Sequence, residues 1–487
     1  MDNKAKSIGA NYIYNLVYQI LVLVVPFILT PYVSRVLSPE GIGEFSYATT
    51  IAGYFVLAGN LGVATYGQLE IAKTRKDVKR CSITFWEILL TRFITMSISL
   101  SVYIVYVVFG HSIYKTMYQV LIVQILASAL DISWLLQGLE EFKKIVLRNV
   151  IIKFAGVIFV LLFVKNEGDL YKYALIMNGV VLLGNVSLWS YIPKFLTMSK
   201  VTKPRVLAHL KQSFVYFIPS IATTLYLTLD KTMIEWFSET TAENGYYEQA
   251  QKIEQMVVTA VTSLSVVTMP RMALLFNEKK NDEIRKIFGK TIRFVLFLSI
   301  PMCVGLVSIA DVFIPIYLGN GYETSVILLK IFSLLLVIVG LNNAFGKQIL
   351  MPFGKQKKYN IGVIIGAAVN FCLNLLLIPR LLSIGAAIAS VIAEGVILIV
   401  FMFFSREFYN GTEVIRLSKN YVVAAAVMAI LIKIIKSWLN DGLLALIVQI
   451  IAGGVIYFIS LLFMFDELIV EGLAIIKEKS SKMEKKQ

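Results

Sequence analysis

Apolar stretches of about 20 residues recur along this chain from Ile8 to Phe465, with short polar gaps between them. About 20 residues, at 1.5 Å rise each, is the length an α-helix needs to cross the hydrocarbon core of a bilayer. Inside a membrane every backbone N–H and C=O needs a partner within the protein, so segments of this length cross as helices. Composition agrees: 57% of the 487 residues are hydrophobic and 16% charged, against about 25% charged in soluble domains. The expected fold is therefore an all-α polytopic membrane protein with about 14 transmembrane helices and no soluble domain large enough for an enzyme. The spans are expected near 8–34, 43–68, 82–109, 116–136, 145–164, 171–193, 212–236, 246–275, 288–309, 324–346, 359–378, 384–405, 418–437 and 443–465. The first stretch lacks a small-residue cleavage site and is followed at once by another, so it reads as a retained helix.

The net charge of +15 would suggest a nucleic-acid or acidic partner for a soluble protein. Here its distribution gives another meaning. Most of the 46 Lys and Arg adjoin loops on the side of the N-terminus, including Lys73, Arg75, Lys76, Lys79 and Arg80, then Lys194, Lys200, Lys203, Arg205 and Lys211, and the tail after Lys477. Positive charge collects on the cytoplasmic side, which places both termini in the cytoplasm and excludes a nucleic-acid role. Contact with anionic lipid is a secondary benefit. Cys81, Cys303 and Cys372 are scattered, with neither metal nor disulfide spacing. His111, in a short outer loop, reads as a solvated residue.

A basic connection, 194–211, divides the first twelve spans into two sets of six. Transporters are often built from repeats, and one short echo is present. Gly43-Glu-Phe45-Ser-Tyr-Ala48-Thr-Thr-Ile51 and Gly245-Tyr-Tyr247-Glu-Gln-Ala250-Gln-Lys-Ile253 share G-x-[FY]-x-x-A-x-x-I, each opening a helix after an outer loop. The register pairs span two with span eight. It predicts an N-terminal six-helix lobe over 1–193, the linker 194–211, a second lobe over 212–405, and two further helices with a basic tail over 406–487. Pro26, Pro31, Pro219 and Pro301 fall in spans and predict kinks, while Gly53, Gly59 and Gly62 suit close helix packing.

Motifs of enzyme chemistry are lacking. Gly289-Lys290-Thr291 looks like the end of a phosphate-binding loop, but Ile284 stands where its first glycine belongs. Transport would then need an energy source other than ATP hydrolysis in this chain. The sequon Asn410-Gly-Thr412 falls on the cytoplasmic side and is discounted. Ionisable residues within spans are the informative set, because a charge at the bilayer centre costs about 2.5–3.5 kcal/mol on insertion scales. They are Arg92, Lys153, Asp230, Lys231, Lys252, Glu254, Lys330 and Glu394, with Arg35 closing the first span at the outer surface. Lysines within reach of an interface can snorkel; Arg92 and Glu394 lie deeper. The excess of cations suggests a cavity suited to an anionic group such as a pyrophosphate or uronic acid. Asp230 and Lys231, about 100° apart on their helix, should serve different partners. Asn11, Asn15 and Tyr18 share one face of the first span, and Asn370 and Asn374 one face of the eleventh. Such amides either meet sugar hydroxyls or bond helix to helix.

Several segments resemble the Wzx-type polysaccharide flippases of the multidrug/oligosaccharidyl-lipid/polysaccharide exporter superfamily. They are Arg35-Val-Leu-Ser-Pro-Glu-Gly-Ile-Gly43 continuing to Ala48, Ser133-Trp-Leu-Leu-Gln137-Gly-Leu-Glu140-Glu-Phe142 with Arg148-Asn149, Asp230-Lys231 with Gly245, Tyr247 and Ala250, Met269-Pro-Arg271, and Gln348-Ile-Leu-Met-Pro352-Phe-Gly354-Lys355. The resemblance runs in order through the whole chain. It implies two six-helix lobes around a V-shaped central cavity, with two helices added, in a bacterial cytoplasmic membrane. It also implies a polyprenyl-pyrophosphate-linked oligosaccharide as cargo, by alternating access, for capsule, O-antigen or exopolysaccharide assembly beside a polymerase and assembly proteins. On that reading Arg35, Arg92, Lys153, Lys231, Lys252, Lys330, Asn11 and Asn15 line the path. Asp230 and Glu394 are candidates for H⁺ or Na⁺ coupling, and no other cofactor is expected. A drug or cation exporter would favour acidic cavity residues and usually twelve spans, and a polysaccharide polymerase large outer loops; neither fits as well.

Overall fold

The structure, a computed structural model, describes residues 8–470 apart from 111–112, 198–204, 410 and 441; side chains are described from Val25 on, except at 219, 222, 223, 227, 264–267 and 270. Asn11, Asn15, Tyr18, Pro219 and Pro270 thus lie outside the described side chains. His111, Lys200, Lys203, Asn410 and the tail after Lys477 lie outside the described residues. The chain divides into two compact units, Met1–Glu248 and Gln249–Gln487.

In the first unit α1, Ile8–Asn60, is two helices joined at Ser38, whose φ of 60° and ψ of 166° leave the helical region. The cause is Pro39, which excludes the residue before it from helical geometry and has no N–H to bond back. Backbone dihedrals stay helical through Pro26 and Pro31, so the sharp break falls later than those two prolines suggested. Leu61 and Gly62, both at positive φ, lead into α2, Val63–Thr74. Glycine serves twice at position 62: it takes the left-handed turn, and a Cβ there would stand 2.5 Å from the Ser213 carbonyl oxygen. At Gly59 a Cβ would stand 2.4 Å from Met96 Sδ, whereas Gly53 faces open space. Two of the three glycines therefore set close packing and the third does not.

Asp77 caps α3, Val78–Phe109, by accepting the Arg80 N–H at 3.0 Å. The next crossing is broken into α4, Lys115–Val120, α5, Ile122–Ala129, and α6, Ser133–Gly138. It is followed by α7, Phe142–Phe163, then α8, Leu170–Leu188, which runs on into the short α9, Ile192–Phe195. Next comes α10, Val206–Phe237, and the unit closes on the first residues of α11, Ala242–Asn277. Its core includes Phe85 stacked on Trp134 with ring centroids 5.2 Å apart. The indole sits against Gly67, where a Cβ would be 2.6 Å away.

The second unit holds the rest of α11, then α12, Asn281–Tyr317, and α13, Glu323–Asn343, which widens into a π-helical stretch over Ala344–Leu350. In α14, Gln356–Phe404, the break falls at Leu382, three residues after Pro379. Helices α15, Gly411–Trp438, and α16, Leu443–Phe463, both pack on α12, and Tyr457 donates to the Phe297 carbonyl at 2.9 Å.

Ten of the described helical segments are long and apolar enough to cross a membrane, so the chain is a multi-pass membrane protein. Two of the ten, Val25–Thr74 and Gln356–Phe404, have 50 and 49 residues. At 1.5 Å per residue each would measure about 75 Å, more than twice the roughly 30 Å hydrocarbon core. Each contains its own break, at Ser38 or Leu382, and each has the length of two crossings. Helices α10 and α11, of 32 and 36 residues, stand outside the ten.

Candidate functional site

The echo between the second and eighth spans has a physical counterpart within the first unit. A Cβ on Gly43 would stand 1.8 Å from the Thr241 carbonyl oxygen, and one on Gly245 would stand 2.0 Å from the Pro39 carbonyl oxygen. A single offset of 202 positions carries Pro39 onto Thr241 and Gly43 onto Gly245. The two contacts are thus one contact made twice, the reciprocity that a two-fold axis imposes. Ser46 and Glu248 are related by the same offset, and Ser46 Oγ donates to Glu248 Oε2 at 2.9 Å. Thr241 Oγ1 donates to the Glu40 carbonyl at 2.9 Å, and Ala48 and Ala250 are both fully buried. Backbone meets backbone here, which only glycine allows.

Paired charges sit beside this crossing. Asp230, 4% exposed, accepts from the Tyr247 hydroxyl at 2.7 Å. Lys231 pairs with Glu248, their side chains each 14% exposed. The adjacent residues do serve different partners, both supplied by α11. Tyr54 hydrogen-bonds Thr232 at 2.9 Å and accepts from Thr228 at 3.3 Å. Glu235 accepts from Tyr114, and from Asn244 Nδ2 at 2.8 Å. Sequence reasoning missed Glu235 and Glu248 because both lie within a turn or two of a span end, where a carboxylate needs no special explanation. The motif glycine Gly245, three residues before Glu248, was the available signal.

The other candidates are scattered. Arg35 is exposed on α1, three residues before the break. Arg92 is 2% exposed and donates to the Ser128 carbonyl at 2.6 Å, at the C-terminal, negative end of α5. A guanidinium so enclosed ties α3 to α5. Lys153 is half-buried on α7, and Lys252 half-buried on α11 one turn beyond Glu248. Lys330 pairs with Asp311, its Nζ 2.7 and 2.9 Å from the two carboxylate oxygens. Two of the five span cations therefore face carboxylates that a tally of charges did not set against them, and the positive potential along a path is smaller than that tally implied.

In the second unit Glu394 on α14 accepts from Asn342 Nδ2 at 2.6 Å on its carboxylate and 3.1 Å on its carbonyl. Glu254, 6% exposed, lies within electrostatic reach of it. Asn374 donates to Asn370 at 3.1 Å, and Asn370 to Ser390 across the α14 break at 3.4 Å; these amides act as glue between helices. A further cluster in the first unit escaped sequence reading. Tyr66 bonds both His209 Nδ1 and Gln212 at 2.8 Å, and His209 Nε2 lies 3.1 Å from Glu87. It fastens the start of α10 to α2 and α3.

Comparison with known proteins gives the arrangement its relatives. The polysaccharide biosynthesis protein family matches residues 8–276, more than half of the chain. A protein of Shigella dysenteriae described as "Putative O-antigen transporter" is 24% identical over 400 residues, covering 81% of this chain and 96% of its own length. One of Escherichia coli strain K12 with the same description is 22% identical over 419 residues, with 83% and 98% covered. Among solved structures the lipid II flippase MurJ superposes with a TM-score of 0.74 at 16% identity, over 94% of this chain and 99% of that one. An inward-facing multidrug-resistance MATE transporter of the MOP superfamily gives 0.56 at 14% identity, over 84% and 96%. At those identities the two structures show a shared polytopic helical fold. Together with the motifs from Arg35 to Lys355, the match over 8–276 establishes that this chain belongs to the polysaccharide biosynthesis protein family, in the Wzx-type branch of the MOP superfamily.

Proposed function

We propose that this protein is a flippase that carries a polyprenyl-pyrophosphate-linked oligosaccharide repeat unit from the inner to the outer leaflet of a bacterial cytoplasmic membrane, for capsule, O-antigen or exopolysaccharide assembly. The observation that carries this reading is the alignment, along nearly their whole lengths, with two proteins described as "Putative O-antigen transporter"; the fold shared with a lipid II flippase supports it. A sugar–pyrophosphate head cannot cross hydrocarbon unaided, since each unpaired polar group buried there costs several kcal/mol. The chain makes fourteen crossings with both termini cytoplasmic, as two six-helix lobes over 1–193 and 212–405, the linker 194–211 and two helices from 406 on. It performs no covalent chemistry. A polar path opens to the two membrane faces in turn, and Arg35, Lys153 and Lys252 meet the pyrophosphate. The crossing of Pro39–Gly43 with Thr241–Gly245 acts as the gate on the outer side. Deleting the gene should cause the lipid-linked repeat unit to build up on the cytoplasmic leaflet. Unchanged levels on that leaflet would sink the reading.

The energy comes from an ion gradient. Two carboxylates within reach of each other repel when both are ionised, and a proton or Na⁺ between them removes the repulsion. Glu254 and Glu394, with the Asn342 amide beside them, offer such a place in the second unit, and Asp230 with Tyr247 a second one in the first. Glu394→Gln should lower export at least tenfold and remove its dependence on the H⁺ or Na⁺ gradient, while binding of the lipid-linked sugar persists. Retained gradient dependence in that variant would take Glu394 out of the coupling.

A further inference from the structure

Helix α10 is packed unevenly along its length. From Val206 to Leu229, Ser213 alone among the described side chains is buried, whereas Asp230, Thr232, Met233 and Ile234 are all buried in the next five residues. The apolar core around Phe85 and Trp134 includes no buried residue of α10 among those described, and only partly buried Tyr216 packs against it. A segment with so few buried contacts lies at the low end of local stability.

The contacts that hold this half are polar. They lie at the end next to the linker 194–211, where clustered positive charge marks the cytoplasmic face. At Ser213 backbone approaches backbone: its carbonyl oxygen and the Phe217 nitrogen would stand 2.5 and 2.7 Å from a Cβ on Gly62. One turn earlier, His209 reaches α2 and α3 together. Its Nδ1 meets the Tyr66 hydroxyl at 2.8 Å and its Nε2 meets Glu87 Oε2 at 3.1 Å. Tyr66 also donates to Gln212 Oε1 at 2.8 Å. Glu87 Oε1 accepts the Arg205 N–H at 3.3 Å, so a carboxylate of α3 satisfies an N–H at the positive end of α10. The His209 and Glu87 side chains are 12% and 11% exposed, so water is at hand to replace each partner when they separate. Such a contact can form and part, as interlocked apolar side chains cannot without exposing their surface to water.

We propose that the inner end of α10 is the cytoplasmic gate of the path and that Tyr66, His209 and Glu87 are its latch. The latch parts to admit cargo from the inner leaflet and re-forms before the crossing at Gly43 and Gly245 opens. The assignment deepens the flippase reading and rests on it for the cargo that passes. The test uses the full chain carrying Ser213→Cys, a near-isosteric change, since the hydroxyl bonds only its own helix, at the Leu210 carbonyl. A membrane-impermeant maleimide is applied to inside-out vesicles, and labelled peptides are followed by mass spectrometry. Position 213 should label slowly in this chain, at least tenfold faster with His209→Leu added, and about threefold faster with Tyr66→Phe, which keeps the buried ring. Native Cys81, 2% exposed in the adjoining core, should stay unlabelled throughout and so report an intact fold. Gly43→Ala should act the other way and slow labelling at least threefold, because loss of the outer crossing populates the state in which the inner end is shut. A strut without a part in the cycle would not respond to a change at the opposite end of the helix. Equal labelling with and without the latch, labelling of Cys81 in parallel, or no slowing by Gly43→Ala would overturn the proposal. None of these measurements needs the lipid-linked sugar. If deleting the gene leaves that lipid unchanged on the cytoplasmic leaflet, the flippase reading falls; if the lipid builds up while position 213 ignores the latch variants, the gate assignment falls alone.

Discussion

Gly43→Ala and Gly245→Ala should each cut surface polysaccharide by at least tenfold while the protein still inserts in the membrane. The reason is geometric. Each methyl would arrive 1.8–2.0 Å from a backbone carbonyl oxygen, roughly half an ordinary contact distance, and no flexible side-chain end is there to yield. Overpacking of this kind costs about 1–3 kcal/mol, too little to unfold a protein of 487 residues but enough to move a two-state equilibrium about 5- to 150-fold. If the crossing forms and parts during the transport cycle, the state that contains it loses population by that factor. Reciprocity sharpens the expectation: the two substitutions attack one contact from its two sides and should match in effect. Gly53→Ala is the control, because its Cβ meets nothing within 4 Å. A Glu40→Cys/Thr241→Cys pair, placed where Thr241 now bonds the Glu40 carbonyl, should cross-link in the parent and cross-link poorly once Gly43 carries a methyl. Full export and full cross-linking in both alanine variants would remove the crossing from the mechanism.

The legible and illegible parts of this protein divide along a physical line. Hydrophobic periodicity acts over 20 residues at a time, so apolar helices, their order and the gaps at 35–42 and 379–383, within which the breaks at Ser38 and Leu382 fall, could be read from residue type. The prolines singled out for kinks did not mark those breaks. The echo at Gly43 and Gly245 was legible for a related reason. A backbone contact leaves one residue type permissible, and that constraint prints itself in the sequence twice. Side-chain pairing leaves no such print. Lys231 and Lys330 were visible as costly charges, but their partners Glu248 and Asp311 stand near span ends, where an acid is ordinary. Counting the cations without them exaggerated the positive field. Arg92 looked like a path residue because it is deep, and depth alone does not distinguish a side chain facing a cavity from one enclosed by packing. In the Tyr66–His209–Glu87 cluster His209 joins residues 143 and 122 positions away, and no local pattern could have joined them.

Lys231→Met should therefore do two separable things. Glu248 would keep the Ser46 Oγ donor at 2.9 Å and lose the Lys231 ammonium, and a carboxylate that loses a cation in a mostly buried place is destabilised. Since each side chain is 14% exposed, some water screens the loss, and about 2–3 kcal/mol is expected instead of the 3–5 of a fully buried pair. The melting temperature of the purified protein should drop accordingly. Adding Glu248→Met removes the carboxylate that lost Lys231, and most of that stability should return, giving a coupling energy of about 1–3 kcal/mol in the double-mutant cycle. Transport should behave differently. Were the pair only a strut, export would return with stability in the double variant. A pair that opens to let Lys231 meet the pyrophosphate predicts the opposite: the double variant folds, inserts and melts like the parent, yet exports at least tenfold less. The double variant's export decides between them; Lys231→Arg keeps both the cation and the pair and should keep export within a few-fold of the parent on either account. A double variant that regains both stability and export would reduce Lys231 to a structural residue and leave Arg35, Lys153 and Lys252 to meet the phosphates.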